Sequence, residues 1–146
     1  GTNGIQALDL VGRKILRDGG DELKTFLDEV SGSKITDTVI AKEMSRALDA
    51  VTEAVNWMLT YNGEDPRAVI SGATPLLNAL GIITGGWLMA LAANIAAAHK
   101  NSEDFYKIKL NTARFYARHI LPQATASAAS AMAGADEIMA LPADAF

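Results

Sequence analysis

Apolar residues recur along most of the chain at steps of three and four, which is the repeat of a helix with one buried face. A strict alternation of apolar and polar residues, which would indicate a half-buried strand, does not extend over a useful length. Alanine and leucine dominate the apolar residues, and both favour helices. The pattern predicts an all-α fold, an antiparallel helical bundle with long, partly kinked helices.

The first predicted helix runs from about Asn3 to Arg17 and ends at Gly19-Gly20, because glycine adopts the left-handed C-terminal conformation at little cost. Asp9 and Arg13 are one turn apart, and we expect them to pair on the polar side of this helix. Its expected apolar face is formed by Ile5, Leu8, Ile15 and Leu16.

Two amphipathic helices are predicted next. The second helix begins at Asp21-Glu22, whose negative charges suit a helix N-terminus, and Gly32 is its expected stop. The third helix spans about Thr36 to Asn62 and has a charged stripe opposite its apolar one, which is typical of a half-buried bundle helix. The inward residues are predicted to be Leu23, Phe26, Leu27 and Val30, and then Ile40, Met44, Leu48, Val51, Val55, Met58 and Leu59.

Asp65-Pro66 predicts the start of a further helix, since the aspartate can cap free amides and proline fits the first turn. From Ala68 to Ala98 the chain carries no charged residue. Pro75 and Gly85-Gly86 interrupt this stretch, so we expect a bend or a very close helix contact there. Its length would suffice for a membrane span, but it contains polar residues and much alanine. We therefore expect a central bundle helix, with a membrane span as the alternative.

The next helix is expected to start near Ser102 and to be buried on most of its circumference. Pro122 should kink it, and the small side chains from Ala124 to Ala135 should continue it in tight packing. Its two apolar stripes are Phe105, Ile108, Thr112, Phe115 and His119 on one side, and Tyr106, Leu110, Ala113, Ala117 and Ile120 on the other.

Composition narrows the possible chemistry. The length of 146 residues suits one domain, or one domain with an appended piece. The absence of cysteine excludes a disulfide scaffold and a thiol nucleophile, and the net charge of −4 argues against binding to nucleic acid. His99 and His119 lack a second ligand at helical spacing, so no metal site is predicted. Trp57 and Trp87 are expected to pack in the core.

Two features could bind an anion. The opening segment Gly1–Gly4 places free amides and a hydroxyl at the positive end of a helix dipole, which suits a phosphate, although the same residues suit an ordinary helix cap. The basic row of Lys107, Arg114 and Arg118, with Lys100 nearby, could meet the phosphates of a coenzyme or nucleotide, or could form a solvated face.

The opening GTNGIQALDLVGRK resembles the start of the last helix in the flavin-dependent acyl-CoA dehydrogenase domain. Later motifs resemble the extra C-terminal helical domain of the longer bacterial members, which include enzymes acting on 3-methylthiopropanoyl-CoA. These motifs are Gly86-Trp87, Phe105-Tyr106 through Ala113-Arg114-Phe115-Tyr116, His119-Ile-Leu-Pro-Gln123 and Ala133-Gly-Ala-Asp136. The resemblance covers nearly the whole chain.

The resemblance implies an enzyme in which a glutamate removes the α-hydrogen of an acyl-CoA thioester as a proton, while the β-hydrogen leaves as hydride to N5 of FAD. In many members that glutamate immediately precedes the Gly-Thr that matches Gly1 and Thr2, so no catalytic residue is expected in this chain. Gly1 and Thr2 are expected beside the FAD diphosphate, and Gly4 stands where several relatives have a cofactor-contacting glutamine. FAD belongs to the full-length enzyme, and this chain alone is expected to bind none.

By the same resemblance, residues 1–31 are the end of the catalytic domain and its exit segment, and residues 34–146 are a C-terminal helical bundle of structural role. The implied partners are the rest of the dehydrogenase chain, further copies in a homodimer or higher homo-oligomer, and an electron-transfer flavoprotein or similar acceptor. The implied setting is fatty acid metabolism in the cytoplasm, without nucleic acid or a transmembrane span. The alternative is a free-standing helical module that binds a partner helix or a membrane surface through the uncharged stretch.

Overall fold

The computed structural model describes residues 1–99 and 104–145, and every regular element in these residues is helical. The all-α prediction is therefore confirmed. In chain order the elements are α1 (Thr2–Asp9), a π-helical continuation (Leu10–Ile15), α2 (Asp21–Gly32), α3 (Thr38–Tyr61), α4 (Pro66–Ser71), α5 (Ala73–Ala98), α6 (Asp104–His119), α7 (Pro122–Ala131), α8 (Asp136–Met139) and a 3-10 turn (Ala143–Ala145).

Helix α5 lies at the centre of the bundle, where α1, α3, α6 and α7 pack against it. Met44 of α3 lies beside Gly86, and Met58 lies beside Gly72, so α3 runs antiparallel to α5. Helix α7 likewise ends beside Gly72, at Ala131. The antiparallel arrangement predicted for the bundle follows from these contacts.

The uncharged stretch forms this central helix. Among the described residues α5 is long and apolar enough to cross a membrane, by length and composition only. The core helix of a soluble protein passes the same test, and 39% of the most apolar part of α5 is buried against neighbouring helices. The position in the bundle matches the prediction of a central helix.

Local signals place most helix ends where the sequence predicted them. Asp65 accepts a hydrogen bond from the Arg67 N–H at 3.0 Å, with Pro66 in the first turn of α4. Gly19 and Gly20 have φ angles of 69° and 81°, and they separate the π-helical stretch from α2. The predicted start at Asp65-Pro66 and the predicted stop at Gly19-Gly20 are both confirmed, because each signal acts within one turn of the chain.

The break in the uncharged stretch occurs at Gly72, and the predicted interruption at Pro75 is wrong. Pro75 lies in the first turn of α5, where proline removes no helical hydrogen bond. A Cβ on Gly72 would overlap the carbonyl oxygen of Ala131, so the glycine is required by the approach of α7. The close contact expected at Gly85-Gly86 is confirmed, since a Cβ on Gly86 would lie 2.6 Å from a methyl of Leu121.

The first helix buries only part of the predicted face: Ile15 is buried and Leu16 packs against the core, but Ile5 and Leu8 do not. Ala7, Val11 and Ile15 are buried, whereas Ile5 is 67% exposed and Leu8 is also exposed. Apolar residues surround much of this helix, and the small side chain of Ala7 allows the closest approach to α5. The predicted pairing of Asp9 with Arg13 is confirmed, with their charged atoms 2.9 Å apart.

Helix α6 is buried along one side only, which contradicts the expectation of burial on most of its circumference. Ala113 and Ala117 are its buried residues, and they face α5 and α3. The predicted stripe that contains Phe105, Ile108 and Phe115 is exposed, because α6 lies at the edge of the bundle. The kink predicted at Pro122 is confirmed, since α6 ends at His119 and α7 begins at the proline. The predicted start near Ser102 lies outside the described residues.

Replacing Gly72 by alanine is expected to lower the free energy of unfolding by about 1–3 kcal/mol, because the added Cβ would overlap the Ala131 carbonyl oxygen. Gly81→Ala is the matched control: a Cβ there meets nothing within 4 Å, and the higher helix propensity of alanine should add roughly 1 kcal/mol. Urea unfolding followed by circular dichroism measures both variants. Equal stabilities would contradict the packing of α7 against Gly72.

Candidate functional site

The start of α1 is the candidate cofactor contact. Gly1 precedes the helix, and its carbonyl oxygen accepts a hydrogen bond from the Gly4 N–H at 3.2 Å. No side chain caps this end, and Gly1, Thr2 and Asn3 are all exposed. The first amides and the Thr2 hydroxyl are therefore accessible at the positive end of the helix dipole, a geometry that suits a phosphate.

A shallow polar cleft opens beside this helix start, between α1, α5 and the junction of α6 with α7. The Tyr116 hydroxyl donates to the carbonyl oxygen of Ile82 at 3.1 Å, and burial raises the pKa of this phenol above its ordinary value. Among the described residues the lining has no charged side chain, so the cleft offers neutral hydrogen-bonding groups. Its polar lining consists of Asn3, Asn78, Tyr116, Gln123 and Ser127.

The basic row of α6 does not converge on one point. Arg114 donates through Nε to Oδ2 of Asp37 at 2.8 Å, its Nη2 lies 2.8 Å from the same oxygen, and this ion pair joins α6 to the start of α3. Lys107 lies 3.4 Å from Asp104, with both side chains exposed. Arg118 is exposed on the surface, and Lys100 lies outside the described residues. Arg114 therefore has a structural partner, while Lys107 and Arg118 form the solvated face.

Asp37 holds two elements together. Its side chain is 10% exposed, and one carboxylate oxygen caps α3 by accepting from the N–H groups of Val39 and Ile40, while the other accepts from Arg114. Burial acts to raise the pKa of Asp37, but the hydrogen bonds from Ile40 and Arg114 outweigh it and hold the pKa below its ordinary value. The carboxylate is therefore charged at neutral pH.

The two histidines lie at the ends of different helices, His99 after α5 and His119 at the end of α6. His99 follows α5, with Nδ1 2.9 Å from the Ile95 carbonyl oxygen, and its ring stacks on Tyr106 at 4.5 Å. His119 is exposed at the end of α6, and its ring lies 4.6 Å from that of Phe115. Within residues 1–99 and 104–145, no cluster of three metal-ligating side chains occurs.

Both tryptophans pack against the core, as predicted. Trp87 donates from Nε1 to the Ser33 hydroxyl at 2.8 Å and meets the Phe26 ring edge-to-face, with ring centroids 6.0 Å apart. Trp57 stacks on Tyr61 at 4.8 Å. Trp87 thereby anchors the end of α2 to α5, which is a structural role.

Two polar residues of the uncharged stretch have structural roles that the sequence did not reveal. Asn94 accepts from the N–H and hydroxyl of Thr36 and donates to the Lys34 carbonyl oxygen, so it fixes the link between α2 and α3. The Ser71 hydroxyl donates to the Gly134 carbonyl oxygen at 2.8 Å and fixes the segment after α7. Their position in a stretch without charged residues was the available signal, since polar groups beside a core tend to find hydrogen-bond partners.

Most of the later motifs therefore have structural explanations. Trp87, Arg114 and Tyr116 form hydrogen bonds or ion pairs between helices, and the glycine before Trp87 permits close packing. The opening motif differs, because its first residues are exposed and have no contact with a side-chain cap. At the start of α1, hydrogen-bond donors are therefore accessible to a ligand.

The fold and its site define a helical bundle with an accessible helix start at the beginning of α1. The sequence profile described as "Acetyl-CoA dehydrogenase C-terminal like" matches residues 20–142. The chain belongs to this family, which confirms the resemblance to acyl-CoA dehydrogenases. The matched region begins at Gly20, the residue immediately before α2.

The curated relatives carry the same class of name. The chain is 33% identical over 136 residues to 3-methylmercaptopropionyl-CoA dehydrogenase of Ruegeria pomeroyi, covering 86% of this chain and 23% of the relative. It is 32% identical over 134 residues to butyryl-CoA dehydrogenase of Syntrophomonas wolfei, covering 84% and 22%. It is 28% identical to a broad-specificity linear acyl-CoA dehydrogenase of Mycobacterium tuberculosis, covering 87% and 24%. The matches thus span less than a quarter of each relative's length.

Asp37→Asn is expected to lower the free energy of unfolding by about 1 kcal/mol at neutral pH, because the amide keeps a capping oxygen but loses the ion pair with Arg114. Because folding lowers the pKa of Asp37, the advantage of the aspartate is complete above its ordinary pKa of 3.8 and disappears as the pH falls through the folded-state value. Urea titrations at several pH values measure this difference.

The matched control for this prediction is Asp49→Asn, which makes the same charge change at an exposed position of α3. It should leave the free energy of unfolding nearly unchanged at every pH. A stability difference for Asp37→Asn that persists well below the folded-state pKa would show that the ion pair is not its cause.

Proposed function

We propose that this chain is the C-terminal part of an FAD-dependent acyl-CoA dehydrogenase that catalyses α,β-dehydrogenation of an acyl-CoA thioester. The observation that carries the proposal is the set of relatives, all named acyl-CoA dehydrogenases, which match 84–87% of this chain. The chain takes up only 22–24% of their length, so the catalytic body belongs to the remainder of the parent protein.

In the proposed enzyme the glutamate base immediately precedes Gly1 and removes the α-proton of the substrate. Proton abstraction of this kind requires a carboxylate held within reach of a desolvated substrate. FAD, when bound, accepts the β-hydrogen as hydride. In this proposal the chain supplies no catalytic residue. Its contribution is to position the start of α1 and the bundle against which α1 packs.

Gly1 and Thr2 would hold the diphosphate of FAD. The exposed first turn of α1 fits this group, because its amides and the Thr2 hydroxyl are free to donate and the helix dipole favours a negative charge. The absence of charged groups from the neighbouring cleft, within the described residues, leaves these donors as the local attraction for phosphate. Gly4 has no side chain with which to replace the glutamine of several relatives.

We also propose that the boundary between the catalytic domain and the added bundle lies between residues 31 and 34. Residues 1–31 would close the catalytic domain, and residues 34–146 would form the added bundle with a structural role. The exposed Ile5 and Leu8 on α1 support a covered position against the catalytic domain. The buried side of α1 belongs to the same core as the bundle, so the two parts would share one packing unit.

The proposed partners are the rest of the dehydrogenase chain, further copies in a homodimer or higher homo-oligomer, and an electron-transfer flavoprotein or similar acceptor. We place the enzyme in fatty acid metabolism in the cytoplasm. The net charge of −4 supports a role without nucleic acid, and the packing around α5 supports a bundle without a transmembrane span. The alternative, a free-standing helical module that binds a partner helix or a membrane surface, rests on the length and apolarity of α5 and on its exposed Leu88 and Ile95.

The full-length parent protein is expected to show flavin absorbance and to reduce an electron-accepting dye when an acyl-CoA is added. Residues 1–146 alone are expected to show neither property, because the base and the flavin-enclosing domain lie outside them. Absorbance scans and dye-reduction assays on both proteins, matched for concentration, provide the test. Clear activity from the isolated chain would overturn the proposed division of labour, and a parent protein without flavin would overturn the function.

Thr2→Val in the full-length enzyme is expected to weaken FAD binding about 10- to 100-fold, because the lost hydrogen bond to a charged phosphate is worth roughly 1.5–3 kcal/mol. Fluorescence titration of the deflavinated enzyme measures the change. Thr60→Val is the matched control, since Thr60 is exposed on α3 and its hydroxyl bonds only within its own helix, to the Asn56 carbonyl oxygen. Equal FAD affinities for the two variants would remove Thr2 from the cofactor site.

A further inference from the structure

One side of α5 is left exposed by the helices that pack around it. Gly81, Leu88 and Ile95 are all exposed, and their spacing of seven residues places them on the same side of the helix. Asn3 of α1 and Gly81 line the same open cleft, so the start of α1 lies near the level of Gly81. Leu88 and Ile95 lie farther along this side, beyond the start of α1.

The outer face of α6 carries a second exposed apolar stripe. Its exposed residues Phe105, Ile108, Thr112, Phe115 and His119 follow the alternating steps of three and four that characterise a helix-packing seam. The stacking of Tyr106 on His99 brings the start of α6 beside the end of α5. We call Leu88, Ile95, Phe105 and Ile108 the open apolar face.

The direction of α1 points toward the open apolar face. Asn3 lies in the cleft with Gly81, and Gly20, after the helix, lies beside Leu59. The residue before Leu59, Met58, packs at Gly72, so α1 and its continuation run antiparallel to α5. A chain that precedes Gly1 on the same course would pass over Leu88 and Ile95, and it needs to cover about 20 Å from the level of Gly81 to that of Ile95.

We propose that the open apolar face seats the segment of the parent chain that immediately precedes Gly1. This inference rests on the proposed function, in which the segment exists and carries the glutamate base. More than three quarters of each relative's length lies outside the region matched by this chain, so such a segment is long enough to cover the face. The open apolar face would then hold the segment that carries the base.

A second copy of this chain fits the open apolar face less well. The charged residues of α6 are basic except Asp104, and two such helices packed face to face would bring Lys109 and Arg118 toward like charges. A segment with apolar anchors and acidic neighbours would meet complementary charge instead. The structure therefore favours a different piece of polypeptide over self-association.

The test compares Leu88→Asp with Leu141→Asp in the isolated chain and in the full-length enzyme. The two leucines are 54% and 56% exposed in this chain, so in the isolated chain neither variant should lose core packing, and Leu88→Asp should add only the helix-propensity cost of aspartate, roughly 0.5 kcal/mol. In the full-length enzyme Leu88→Asp is expected to lower the thermal midpoint by several degrees while Leu141→Asp leaves it nearly unchanged. Equal effects of the two variants in the full-length enzyme would overturn the proposal.

A photocrosslinking residue identifies the occupant. The full-length enzyme with p-benzoylphenylalanine in place of Leu88 is irradiated and digested, and mass spectrometry locates the linked peptide. A link within one chain to the peptide that ends just before Gly1 is expected. A link between two copies, or none above that obtained at position 141, would overturn the proposal. Dehydrogenase activity of the sample before irradiation reports separately on the proposed function.

Discussion

The bundle depends on how closely its helices approach α5. That approach is possible because glycine and alanine occupy the contact positions: Gly72 meets the backbone at Ala131, and Gly86 lies between Met44 and Leu121. Small residues contribute little buried area each, but they allow many atoms of neighbouring helices to reach contact distance. The stability of the core is therefore spread over a large number of close contacts, and it depends on keeping those positions small.

The same constraint explains the polar residues on α5 and its neighbours. The segments that connect these helices are short, and single side chains fix them to the bundle by hydrogen bonds. Asn94 holds the link between α2 and α3, Ser71 holds the segment after α7, and Asp37 joins the start of α3 to α6. Each satisfies main-chain or charged groups that would otherwise remain unpaired beside the core.

The parts of the fold that could be predicted from the sequence are those governed by local chemistry. The caps at Asp65 and Gly19-Gly20 act within one turn, and the single apolar stripe of α3 leaves one way to bury it. The break at Gly72 could not be predicted, because it is required by a contact with Ala131, which lies far away in the sequence. Proline at position 75 was a misleading signal, since proline disturbs a helix only beyond its first turn.

The faces of α1 and α6 were only partly predicted, for a different reason. Each helix carries apolar residues on more than one side, so the pattern indicates burial without saying which side meets this bundle. The bundle takes the sides with small residues, at Ala7 and Ala113, and leaves larger ones such as Ile5 and Phe105 outside. A sequence shaped by two sets of contacts, one within the bundle and one with a larger body, produces this mixed pattern. The candidate site follows the same pattern: the start of α1 has no side-chain cap and is exposed here, and under the proposed function polypeptide and cofactor outside this chain would complete it.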